Sequence, residues 1–144
     1  DRYLSRYFDQ MNIKKASELC KELGFDGIDI NMGCPDKSIE KQCSGAAMIK
    51  NPALARECIR AAIEGGGGLP VSVKTRIGYN KNEIDMWIPE LLKEDIAVLT
   101  IHLRTRKEMS DVPAHWELMK RVVEIRDSLK KDTLIFGRVT QLLL

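Results

Sequence analysis

Four short apolar runs, at residues 27–30, 69–74, 96–101 and 133–136, alternate with stretches of helical periodicity. This alternation constrains the fold more than any other feature of the chain. Asn12 can cap a helix reaching about Leu23, with Ile13, Ala16, Cys20 and Leu23 on one face and Gly24 to end it. Asn51 followed by Pro52 is a helix start, an N-cap and a first-turn proline. Leu54, Cys58, Ile59, Ala62 and Ile63 form the buried stripe of that helix. A third helix is expected over residues 82–94, with Ile84, Trp87, Leu91 and Leu92 inward and Pro89 kinking or shortening it. A fourth opens at Pro113, with Leu118, Val122, Ile125 and Leu129 on one side.

Short β-branched strands separated by helices suit a parallel sheet covered by helices. No GxGxxG follows the first strand, which disfavours a dinucleotide-binding sheet. GGGG at 65–68 ends a helix, whereas a phosphate-cradling loop opens one, so it reads as a flexible helix-to-strand connection. A (β/α)8 barrel fits better, but needs about 250 residues. The chain has 144. The expected fold is therefore α/β, a partial (β/α)8 TIM barrel of about four consecutive parallel strands with covering helices. Residues 1–144 would form a single incomplete domain.

Composition narrows the function classes. Hydrophobic residues make up 44% and charged residues 31%, as in ordinary globular domains. No apolar run approaches the ~18 residues that span a membrane. The opening DRYLSRYFDQ resembles neither a signal nor a transit peptide, and it lacks an initiator Met. A net charge of +2 does not by itself imply a nucleic-acid partner, although RTRK at 104–107 and LKK at 129–131 are local basic clusters. The cysteines are Cys20, Cys34, Cys43 and Cys58, none in a C-x-x-C pair, and the chain has two histidines. No metal site is expected from that set. The thiols are expected to be reduced and the compartment cytoplasmic.

Three of the apolar runs end in the same way. The first leads into Asn31 and Cys34, the second into Lys74 and Arg76, the third into His102 and Arg104. In a parallel barrel all strand C-termini point to the face that carries the active site. Each residue also has a purely structural reading: a turn asparagine, a loop-filling cysteine, a surface lysine, a core histidine, two solvated arginines. Three strands breaking pattern at the same end favours convergence on one pocket. Lysine and histidine there suit an anionic or electron-rich cofactor such as a flavin.

The segments GFDGIDINMGCPDKSIEKQCSGAAMIKNP, PVSVKTRIG and LTIHLRTRKEMSDVPAHWE closely resemble the tRNA-dihydrouridine synthase family, over about residues 20–137. That resemblance implies an FMN enzyme on a (β/α)8 barrel with a C-terminal helical domain. Its members reduce the C5–C6 double bond of uridine in tRNA, with NADPH as reductant. By resemblance Cys34 matches the general acid, Lys74 and His102 the FMN-contacting pair, and Asn31 the asparagine facing the target uracil. Arg76 and Arg104 match motif arginines near flavin and RNA, and Arg104, Arg106 and Lys107 are candidates for holding phosphates. The family also implies strands before Asp1, and a Gly-Asn-Gly-Asp motif after the fourth strand where this chain reads FGRVTQLLL. Two other readings stand beside it. Dihydroorotate dehydrogenase has a similar Asn-x-x-Cys-Pro sequence but continues with Asn, where this chain has Asp36. A non-catalytic remnant of the tRNA enzyme, without flavin or turnover, is the other.

Overall fold

The computed structural model describes residues 10–41 and 43–138. Its helices are α1 Gln10–Glu22, α2 Lys37–Glu40, α3 Pro52–Gly66, α4 Ile84–Leu92 and α5 Met119–Ser128. Its strands are β1 Ile28–Met32, β2 Val71–Arg76, β3 Val98–His102 and β4 Leu134–Arg138. Short 3-10 turns occupy Gly45–Lys50 and Trp116–Leu118.

The four strands are all parallel, in the order β1-β2-β3-β4. Each new strand joins the same edge, with a helix crossing between. A doubly wound sheet would reverse its strand order part-way. The expected partial (β/α)8 barrel is therefore the architecture found.

Register decides which side chains share a face, because parallel partners point the same way. Ile30 pairs with Val73, Val73 with Leu99 and Leu99 with Ile135, so one apolar row lies across the sheet. That row faces the helices. Cys58, Ile59 and Ala62 of α3, Trp87, Ile88 and Leu91 of α4, and Val122 and Ile125 of α5 complete the same core. Fully buried Trp87 donates from Nε1 to Thr75 Oγ1 at 3.0 Å, and Thr75 Oγ1 donates to Met32 O at 3.1 Å. This chain of bonds ties α4 to β2 and β1. The other face has a different character. Asn31 pairs with Lys74, Lys74 with Thr100 and Thr100 with Phe136, while Arg76, His102 and Arg138 form the next row. Leu134 and Phe136 stand 56% and 53% exposed there.

Several boundaries differ from expectation. All four strands extend beyond the apolar run, by one or two residues: β2, β3 and β4 end in Arg76, His102 and Arg138 on the inner face, and β1 runs through Asn31 to buried Met32. Helix α1 starts before Asn12, which therefore does not cap it; Leu23 lies outside the helix and is 66% exposed. Gly24 does end it, at φ +78°, with Phe25 N donating to Cys20 O. Asn51 does cap α3, accepting from Leu54 N at 3.2 Å, a contact worth about 1 kcal/mol. Pro89 lies inside α4, which at Ile84–Leu92 is shorter than the expected 82–94. Pro113 does not start a helix; α5 begins six residues later, after the turn Trp116–Leu118. Between β1 and α3 the chain forms α2, capped by Asp36 Oδ1 accepting from Ser38 N, and the first 3-10 turn. The segment Thr140 to Leu144, where the family pattern breaks, lies outside the described residues.

The glycine run also has a different role. Gly65 and Gly66 are helical and buried; Gly67 takes the left-handed conformation that ends α3, and Gly68 follows it at positive φ. A Cβ on Gly65 would overlap the Lys14 carbonyl oxygen, so α1 crosses α3 where a side chain has no room. Alanine gains about 1 kcal/mol over glycine from helix propensity alone. Overpacking against a backbone atom costs about 1–3 kcal/mol, and here no flexible atom can yield. Gly65→Ala is expected to lower the urea unfolding midpoint; a raised midpoint would mean that the crossing is loose.

Candidate active site

The rim at the strand C-termini is built by three loops. Asn31 begins it. Its Oδ1 accepts from Gly33 N at 3.0 Å and Cys34 N at 3.1 Å, which turns the chain back as it leaves the sheet. From the other side, Ala46 N donates to Cys34 O at 2.9 Å. Gly45 sits at φ +63°, and a Cβ there would lie 2.6 Å from Cys34 O. Only glycine lets the 3-10 turn pass so close beneath Cys34. The half-buried cysteine is thus held by backbone bonds on both sides.

Arg76, at the end of β2, joins all three loops. It is 5% exposed and donates from Nε to Gly33 O at 2.8 Å, and from Nη1 to Met109 O at 2.7 Å and Thr105 O at 3.2 Å. Arg104, 6% exposed, donates from Nε to Val112 O at 2.6 Å, and its Nη1 lies 2.7 Å from His102 Nε2. Both guanidinium groups are therefore engaged by uncharged acceptors. Burial, then the Arg104 charge, pulls the Arg76 pKa below the usual guanidinium range.

Lys74 stands beside Asn31 in the register, and its Nζ has no hydrogen-bond or ion-pair partner among the described residues. Burial first, and then Arg138, lower its pKa, with Asp29 opposing. His102 is 7% exposed and is pulled down to about 4 by burial, then by Arg76, Arg104, Lys74 and Arg138. The ring is neutral at pH 7. Cys34 lies within electrostatic reach of both Lys74 and Arg76. The six residues singled out in the sequence, Asn31, Cys34, Lys74, Arg76, His102 and Arg104, thus lie on one rim. It carries an excess of positive charge: Lys74, Arg76, Arg104 and Arg138, against Asp29 near Lys74 and Glu108 near Arg76. Such a donor set fits an anionic or electron-rich cofactor.

Sequence reasoning missed Arg138, which closes β4 two residues past the apolar run 133–136. The signal was present, since Arg138 follows an apolar run as Lys74 and His102 do. It also missed Glu40. Arg106 makes a two-pronged pair with that carboxylate, Nε to Oε1 at 2.8 Å and Nη2 to Oε2 at 2.9 Å, and reaches Pro35 O at 3.3 Å. Tyr79 OH donates to Glu40 Oε2 at 3.1 Å. Glu40 raises the Arg106 pKa and neutralises its charge. Of the three residues considered for phosphates, Arg104 and Arg106 are engaged inside the chain and Lys107 is exposed. A groove of about 700 Å³ lies beside the rim, lined by Ile77, Lys81, Lys107 and His115 among others; none of Asn31, Cys34, Lys74 or His102 borders it. Among the described residues no group of three or more His, Cys, Asp or Glu side chains is placed to hold a metal ion. None of their helices is long and apolar enough to cross a membrane.

The family model described as dihydrouridine synthase (Dus) matches residues 8–140. The chain belongs to that family. It is 51% identical over 125 residues to a Bacillus subtilis protein named probable tRNA-dihydrouridine synthase 2, covering 86% of this chain and 38% of that one. It is 49% identical over 123 residues to a probable tRNA-dihydrouridine synthase of Staphylococcus aureus, covering 85% of this chain and 37% of the relative. The same identity holds over 129 residues with a Staphylococcus epidermidis protein of that name, covering 89% and 37%. The chain therefore spans less than two fifths of the length of these relatives.

In this chain the Glu40–Arg106 pair joins the loop bearing Cys34 to the loop after β3. Its side chains are 11% and 19% exposed, so solvent screens it less than a surface pair. Glu40→Gln and Arg106→Gln are each expected to cost about 1–3 kcal/mol. Combined, they should cost at least about 1 kcal/mol less than the sum. A urea double-mutant cycle measures this, and strict additivity would show that the two loops are not coupled through the pair.

Proposed function

We propose that this chain carries the reducing site of a tRNA-dihydrouridine synthase, in which the C5–C6 double bond of a uridine in tRNA is reduced with FMN as cofactor and NADPH as electron donor. The observation that carries this reading is the grouping of Cys34, Lys74 and His102 on one rim, within a family whose similar members bear that name. Bound FMN would supply hydride to C6 of the uracil.

The residues divide the remaining work. Lys74 and His102 hold the flavin: the unpaired ammonium stabilises negative charge, and the neutral imidazole hydrogen-bonds. Asn31 has its carbonyl oxygen committed to the Cys34 turn. Its Nδ2 remains to meet a uracil carbonyl. As C6 gains hydride, negative charge develops at C5 and on the C4 carbonyl oxygen. Cys34 Sγ–H gives its proton to C5, and the resulting thiolate is reprotonated from water. Hydride at C6 and proton at C5 together saturate the bond. The nearby Lys74 and Arg76 charges stabilise the thiolate as it forms.

The target base lies inside a folded RNA and must be turned out to reach this rim. Arg76 and Arg104 contribute through charge and by holding the loops, and Arg138 and Lys107 offer positive charge nearer the surface for phosphates. The cytoplasm, where thiols are kept reduced, suits a catalytic cysteine and a tRNA substrate. The second reading, a chain that holds no flavin by itself, is favoured by Leu134 and Phe136, which stand exposed on the inner face.

In the enzyme carrying this sequence, Cys34→Ala is expected to leave flavin reduction by NADPH within about twofold of normal. Uridine reduction in tRNA should fall about 10²–10⁴-fold, the usual worth of a positioned acid. Stopped-flow flavin absorbance and dihydrouridine content measure the two steps separately. Normal turnover in that variant would remove Cys34 from the role.

A further inference from the structure

Arginine can only donate hydrogen bonds, because its guanidinium carries N–H groups and no free lone pair. Arg104 Nη1 lies 2.7 Å from His102 Nε2. Nε2 must therefore accept, which leaves its lone pair bare and puts the ring proton on Nδ1. Arg104 does not choose this geometry freely. Its Nε is tied to Val112 O at 2.6 Å, its backbone N donates to His102 O at 2.7 Å, and the side chain is 6% exposed. The guanidinium is locked against the ring.

The charges facing the ring act in the same direction. Lys74 and Arg76 reach it from β2, Arg104 from the loop after β3, and Arg138 from β4; every one is a cation that opposes a second ring proton. Nδ1 has no hydrogen-bond partner among the described residues. No fully buried side-chain nitrogen or oxygen among them lacks one, so Nδ1 is open to a bound group.

We propose that Arg104 is a positioning residue that fixes His102 as the neutral imidazole protonated on Nδ1, so that the ring presents one N–H donor to the cofactor pocket and supplies no proton to the reaction. This deepens the proposed function and rests on it for the identity of what His102 meets. It assigns the ring a hydrogen-bonding task and leaves Cys34 as the acid. The acceptor fitted to such a donor is a carbonyl or phosphate oxygen or an unprotonated ring nitrogen, all of which a flavin nucleotide offers.

The chain has two histidines, so ring nitrogen spectra are simple to assign. With 15N-labelled histidine and His115→Gln as the assignment control, the resonance of His102 is expected to be pyrrole-like at Nδ1 and pyridine-like at Nε2. It should not change between pH 8 and about pH 5, whereas an ordinary histidine titrates near 6.5. Arg104→Gln, whose amide can donate or accept, is expected to give mixed tautomers and to raise the midpoint by about one unit or more. Arg104→Lys, still an obligate donor, should keep the Nδ1–H form. A proton on Nε2 in the unmodified protein overturns the proposal, as does a ring unchanged by Arg104→Gln. If Arg104→Gln does not fold, the spectrum of the unmodified protein decides alone. The measurement needs neither flavin nor tRNA, so its failure would leave the Cys34 assay standing, and the reverse also holds.

Discussion

The rim depends on how Arg76 is bound. A buried guanidinium usually faces a carboxylate, and the pair is then close to neutral. Arg76 instead meets the carbonyl oxygens of Gly33 in the loop after β1 and of Thr105 and Met109 in the loop after β3. Carbonyl dipoles satisfy its donors but leave its charge. Arg104 follows the same rule, with Val112 O and His102 as its acceptors. The two arginines therefore brace the loops and at the same time make the rim cationic. Arg106, two residues on, shows the contrast: Glu40 takes both prongs of its fork, and its contribution is mechanical.

From this follow the other properties of the site. Arg76, Arg104, Lys74 and Arg138 surround His102, and their field together with burial keeps the ring neutral. The same field stands next to Cys34, where negative charge would form during proton donation. Lys74 has no hydrogen-bond or ion-pair partner among the described residues, and neither has Arg138 in the next row, which leaves both able to meet something that the chain itself does not supply. The backbone bonds to Asn31 and Ala46, and the absence of a side chain at Gly45, hold the cysteine in place.

Much of this was legible in the sequence because alternation and strand ends are local. The order of elements, the parallel sheet and the six rim residues could be read from short apolar runs that each finish in polar side chains. What escaped had non-local causes. Gly65 and Gly66 looked like a flexible connection because glycine is rare inside helices; the reason for them is the close passage of α1, which no local pattern encodes. Glu40 ends a four-residue helix too short to leave a periodic pattern, and its partner Arg106 is far away in sequence. That Arg76 and Arg104 brace loops through carbonyl oxygens was hidden too, since a backbone acceptor leaves no mark in the side-chain sequence.

The central claim is that the inner rim holds an excess of positive charge, and that Lys74 is a member of it free to meet a cofactor. Titration of the protein with FMN, followed by quenching of flavin fluorescence, tests this most directly. Lys74→Gln is expected to weaken binding about tenfold or more, the worth of one charge-assisted contact, while Lys107→Gln on the outer side leaves it unchanged. Equal affinity in the unmodified protein and Lys74→Gln would contradict the account.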